Sequence, residues 1–87
     1  MSDAKVAVIT AGGGGMGAAV ARELHQCGYE VALMSRSEAA EELALELGGL
    51  GVRGSVTDAQ ALEALVRQTL DRYGRIDAVV NHTAHPP

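Results

Sequence analysis

The chain has 87 residues, room for one small domain, and 47% of them are hydrophobic, which excludes a disordered polar tail. The net charge is −4 and the seven Lys and Arg are scattered, so no basic stripe exists to grip a polynucleotide. Tyr29 and Tyr73 are the only aromatic residues, which removes stacking platforms for single strands, and no apolar run approaches the ~20 residues needed to span a bilayer.

Residues 5–10, KVAVIT, form a nearly continuous apolar run rich in β-branched side chains, as suits a strand buried on both faces. Lys5 is followed by this strand-like run and then by glycines, not by a signal-peptide pattern, and the expected setting is the cytoplasm. Glycines fill 12–15 and recur at 17. From Met16 the pattern turns helical, with Met16, Val20, Leu24 and Cys27 spaced by three and four, and Gly28 closes the helix. Cys27, the single cysteine, excludes an internal disulfide and is expected to be a small core residue. Residues 30–34, EVALM, make a second apolar strand. Ser35 and Glu38 suggest a capping box for a helix that runs to Leu47, with Leu43 and Leu47 on its inner face and Gly48 and Gly49 stopping it. A third strand is expected over 50–56. Thr57 and Gln60 suggest a second capping box, opening a helix whose stripe is Leu62, Leu65, Val66, Thr69 and Tyr73 and whose stop is Gly74. A fourth strand is expected over 76–80, IDAVV, and the tail 82–87 has no regular pattern.

The order β-α-β-α-β-α-β, with helices of crossover length, implies an α/β fold with a doubly wound parallel sheet in the order 3-2-1-4. The pattern stops after the fourth strand, and residues 1–87 read as a single domain without linker or repeat.

The stretch TAGGGGMG separates the first strand from the first helix. A helix N-terminus presents unpaired N–H groups and the positive end of the helix dipole, which favours a phosphate. Glycines let a pyrophosphate approach without a Cβ in its path. Gly12, Gly14 and Gly17 satisfy G-x-G-x-x-G in the strand–loop–helix context that a dinucleotide site requires. No Lys-Ser or Lys-Thr follows the glycines, so a P-loop is excluded. The end of the second strand lies near the ~20-residue distance at which NAD enzymes place an acid for the ribose 2′-hydroxyl. Ser35 and Arg36 stand there instead. A hydroxyl and a guanidinium suit a 2′-phosphate, so NADP(H) is the expected cofactor and NAD(H) the other candidate. The missing acid also argues against a methyltransferase-like fold.

The same residues resemble the T-G-x-x-x-G-x-G motif of the short-chain dehydrogenase/reductase family. Thr10, Gly15 and Gly17 fall on the motif's positions, and Ala11 replaces its first glycine. YGRIDAVVNHTA resembles the family's helix-to-strand segment ending in N-N-A-G: Asn81 matches, while His82, Thr83 and Ala84 depart. GSVTD resembles the element beside the adenine, with Val56, Thr57 and Asp58 matching and Ser55 in place of an aspartate. The resemblance covers nearly all of the chain. It implies a Rossmann-like NAD(P)-binding domain and hydride transfer between a nicotinamide and a carbonyl or alcohol substrate. With the motifs above, it marks Thr10, Gly12, Gly14, Gly15, Met16, Gly17, Ser35, Arg36, Ser55, Val56 and Asn81 as cofactor-binding.

The family's catalytic Ser, Tyr and Lys lie beyond the strand that ends near Asn81, and no Tyr-x-x-x-Lys occurs here. No catalytic residue is therefore assigned, and no turnover is expected from these 87 residues alone. A non-catalytic dinucleotide-binding or dimerisation module is the alternative. His82 and His85 form H-x-x-H, but further ligands such as Asp77 and Cys27 belong to other elements, so no metal site is assigned. The apolar fourth strand has no proline and only Asp77 as a gatekeeper, so self-association is expected.

Overall fold

A computed structural model describes residues 4–10, 15–55 and 57–81, with Gly15 and Met16 described by backbone alone. The elements are β1 (Val6–Thr10), α1 (Gly15–Gln26), β2 (Glu30–Ser35), α2 (Ala39–Leu47), β3 (Leu50–Arg53), α3 (Ala59–Tyr73) and β4 (Ala78–Asn81). All strand pairs are parallel and the sheet order is β3-β2-β1-β4, the order that the alternation predicts.

β1 and β2 read as continuous apolar runs because helices cover both of their faces. Side chains alternate along a strand, so each run feeds two cores. Ile9, Val31 and Leu33 pack with Ala21 of α1 and Ala40, Leu43 and Ala44 of α2. Val8, Ala32 and Met34 point the other way and pack on Leu65 of α3. Among the described residues, no helix is long and apolar enough to cross a membrane.

The register is Val6↔Glu30 through Thr10↔Met34, Ala7↔Ala78 through Thr10↔Asn81, and Ala32↔Leu50 through Ser35↔Arg53. Thr10, Ser35, Arg53 and Asn81 therefore line the carboxyl edge of the sheet. α2 sits directly on β3. A Cβ on Gly51 would lie 2.7 Å from the Glu41 Cα and 2.9 Å from the Ala40 carbonyl oxygen, so only glycine allows this approach.

Several expected boundaries and caps differ. β3 ends at Arg53, and the chain leaves the sheet through Gly54 and Ser55. β4 starts at Ala78 because Ile76 and Asp77 belong to the preceding turn. There, the Asp77 N–H donates to the Val6 carbonyl at 2.8 Å and the Val6 N–H donates to the Asp77 carboxylate at 2.8 Å. Neither capping box forms. α3 is capped by Asp58, whose Oδ1 accepts from the Gln60 and Ala61 N–H groups, while the Thr57 hydroxyl is within hydrogen-bonding distance of the Ser55 hydroxyl. At α2 the Glu38 side chain makes no capping bond, while the Ser35 hydroxyl still accepts from the Ala40 N–H. Cys27 lies exposed in the turn after α1, not in the core, because that helix ends at Gln26. Val66 is 42% exposed, whereas its stripe-mates Leu65, Thr69 and Tyr73 are buried.

Candidate functional site

The connections from β1 through α1 and α2 cover one face of the sheet, and α3 delivers β4 from the other face. The strand order thus reverses between β1 and β4. In open α/β sheets the crevice outside the carboxyl ends at such a switch point is where ligands bind.

Thr10 and Asn81 stand opposite each other at this crevice. The Thr10 hydroxyl is buried and donates to Asn81 Oδ1 at 2.7 Å, with the Val80 carbonyl oxygen 3.5 Å away. This leaves the Asn81 side-chain N–H groups free of that bond. α1 begins at Gly15, just beyond the end of β1, and has no acidic residue in its first turn. Its N-terminal N–H groups and dipole are therefore not neutralised locally, and Gly17 is buried within that first turn. Gly12 and Gly14 lie outside the described residues, as do Val56, His82, Thr83, Ala84 and His85.

At the end of β2 the Ser35 hydroxyl takes up the helix-capping role, one of the two roles that the sequence suggests for it. Its hydroxyl donates to the Ser37 carbonyl at 2.7 Å and accepts from the Ala40 N–H at 3.0 Å. The Ser37 hydroxyl accepts from the Ala39 N–H at 3.2 Å. Two serines thus satisfy the start of α2. Arg36 is exposed and makes no hydrogen bond or ion pair among the described residues.

A further charged group stands on the neighbouring strand opposite Ser35. Arg53, at the end of β3, donates through Nε and Nη2 to Glu41 Oε1 at 3.0 and 2.8 Å, and Glu38 lies 3.9 Å away. The Glu41 carboxylate raises the affinity of the Arg53 guanidinium for its proton, first by hydrogen bonding and then by charge. Nothing in the residue pattern flags Arg53; only the parallel pairing of Ser35 with Arg53 brings it to this edge. Ser55 is part-buried in the turn after β3, where its hydroxyl accepts from the Thr57 N–H at 3.2 Å.

A separate open groove runs between α1 and α2, lined by Ala18, Arg22, Ser37, Glu38, Glu42 and Glu46. Its three carboxylates face one guanidinium, and Arg22 is paired with Glu46, so the groove is unsuited to an anion.

The donor set at the crevice fits a dinucleotide. It combines a helix N-terminus with no acid in its first turn and, just past the end of β2, Arg36, which makes no hydrogen bond or ion pair among the described residues, with Glu38 two residues further on. The family model for short chain dehydrogenases matches residues 5–86. An L-fucose dehydrogenase from Mus musculus is 41% identical over 86 residues, covering 95% of this chain and 32% of that protein. The structure of a variant actinorhodin polyketide ketoreductase with NADPH superposes with a TM-score of 0.88 at 31% identity, covering 97% of this chain and 34% of that one. A 3-ketoacyl-(acyl-carrier-protein) reductase from Brucella melitensis, complexed with NADH, gives a TM-score of 0.82 at 29% identity, covering 86% of this chain and 32% of that one. The chain thus spans about a third of the length of these relatives. With its motifs in order and its sheet wound in the same sequence, the chain belongs to the short chain dehydrogenase family.

Proposed function

We propose that residues 1–87 act as one unit that holds a nicotinamide dinucleotide across the carboxyl edge of the sheet, with NADP(H) preferred over NAD(H). The observation that carries this reading is the switch-point crevice between β1 and β4 with the acid-free N-terminus of α1 beside it. In this reading the pyrophosphate rests on Gly12, Gly14, Gly15, Met16 and Gly17. The adenosine half lies along the ends of β2 and β3, between Arg36 and the turn containing Ser55 and Val56. The nicotinamide half passes Thr10 and Asn81. Ser35 contributes by holding the start of α2 in place, and Arg36 supplies the charge for the 2′-phosphate.

The protein to which this unit belongs transfers a hydride between the nicotinamide and a carbonyl or alcohol. The family membership, the relatives' names and the NADPH and NADH bound in two of them support that activity. Hydrogen bonds to charged groups contribute about 1.5–3 kcal/mol, or roughly ten- to hundredfold in affinity. Solvent screening at an exposed arginine places Arg36 at the lower end, about tenfold.

The test is calorimetric titration with NADPH and NADH. Gly17→Val puts a branched side chain where the first turn of α1 is buried, and we expect it to abolish binding of both. Arg36→Ala should remove the roughly tenfold preference for NADPH and leave NADH binding intact. Equal binding by Gly17→Val and the parent would show that the pyrophosphate site is misplaced. A parent that prefers NADH would overturn the cofactor assignment.

A further inference from the structure

The place where a 2′-phosphate would arrive is crowded with negative charge. Glu38 precedes α2, and Glu41 and Glu42 lie in its first turn. These carboxylates complement the helix dipole, but they are unfavourable neighbours for a phosphate carrying about −1.5 to −2 charges. Arg53 reaches over from β3 onto the same turn. Two of its N–H groups meet Glu41 at 2.8 and 3.0 Å, and its Nη2 is 3.9 Å from Glu38. The edge of the guanidinium that would chelate a phosphate is thus occupied by a carboxylate. Arg36, in contrast, is uncommitted among the described residues.

We infer that Arg53 is a specificity-determining residue that acts through its neighbours: by neutralising Glu41 and Glu38 it allows Arg36 to accept the 2′-phosphate. This rests on the adenosine half lying at the ends of β2 and β3, as proposed above. The charges involved are 43–72% exposed, so their influence is moderate and screened by salt, with a Debye length of about 10 Å at 0.1 M. Removing Arg53 uncovers two carboxylates at once. The expected cost to a 2′-phosphorylated ligand is roughly five- to tenfold at low salt, with little cost to its unphosphorylated counterpart.

Adenosine 2′,5′-bisphosphate and adenosine 5′-monophosphate isolate this effect, because neither needs the nicotinamide side of the site. The quantity read is the ratio of their affinities in calorimetric titration. Arg53→Gln should lower the ratio roughly five- to tenfold at low salt, and the drop should vanish at about 1 M salt. Arg53→Lys should keep the ratio. Glu38→Gln with Glu41→Gln should raise it while Arg53 is intact, and the same pair should restore it in the Arg53→Gln background. Circular dichroism and unchanged 5′-monophosphate binding report that each variant is folded. If Arg53→Gln leaves the ratio unchanged, the inference fails and the nucleotide site stands. A drop that the two glutamines do not restore also overturns it, because Arg53 would then touch the phosphate itself. Failure of the parent to bind either nucleotide would remove the site and the inference together.

Discussion

Asp77 shows how much one side chain does at the sheet's other edge. Its carboxylate accepts from the Val6 N–H at 2.8 Å and from Arg75 at 2.6 and 2.8 Å, while its own N–H donates to the Val6 carbonyl. This ring ties the turn before β4 to the first residue of β1 and sets the β1–β4 register. The Arg75 hydrogen bond, then the Val6 N–H, hold the Asp77 carboxyl below its ordinary value of 3.8. A depressed carboxyl stabilises the fold above its unfolded pKa, and that contribution is lost as the pH falls through the folded value. Asp77→Asn should therefore unfold at lower urea than the parent near about pH 7, and the gap should close as the pH approaches about 2. A gap of constant size across that range would mean that Asp77 acts by shape and not by charge.

At the scale of elements, the seating of α2 on β3 governs the candidate site. Gly51 permits it, since a Cβ there would fall 2.7 Å from the Glu41 Cα and 2.9 Å from the Ala44 Cβ. Backbone cannot yield as a flexible side chain does, so Gly51→Ala should push α2 off the sheet. We expect a loss of about 1–3 kcal/mol in urea unfolding, typical of overpacking. The same displacement moves Glu41 relative to Arg53, so the 2′-phosphate preference should change with stability. If Gly51→Ala is as stable as the parent, the contact between α2 and β3 is looser than the structure shows. At the end of α2, Gly48 adopts φ 73° and its N–H bonds to the Ala44 carbonyl, so the stop signal read from Gly48 acts as a left-handed cap.

For the whole molecule, the described sheet has β4 at one side, paired with β1 alone. Val79 on that strand is 66% exposed, and on α3 Leu70 and Val66 are 46% and 42% exposed. Asp77 is a poor gatekeeper for this edge, because its carboxylate is already bound to Val6 and Arg75. An unprotected apolar edge invites pairing with another strand. The chain is therefore expected to self-associate as its concentration rises, and Val79→Lys should reduce the association without unfolding the protein. Light scattering across a concentration series reads this directly. A parent that stays monomeric throughout would count against an exposed pairing edge.

The parallel, doubly wound α/β class was legible in the sequence because it depends on features each segment carries by itself. Runs such as VAVIT and EVALMS can be buried only on both faces, the intervening helices have crossover length, and glycines stop them where positive φ is required at Gly28, Gly48 and Gly74. What needed tertiary structure was the choice among competing partners. Ser35, Ser37, Thr57 and Asp58 are all capping residues by type. Which one caps which helix depends on where β2 and β3 end and on where the helices begin. The Ser35 hydroxyl accepts from the Ala40 N–H at the start of α2. The pairing of Arg53 with Glu41 spans two elements through a strand register and a helix contact, and neither is encoded in the spacing of residues along one segment.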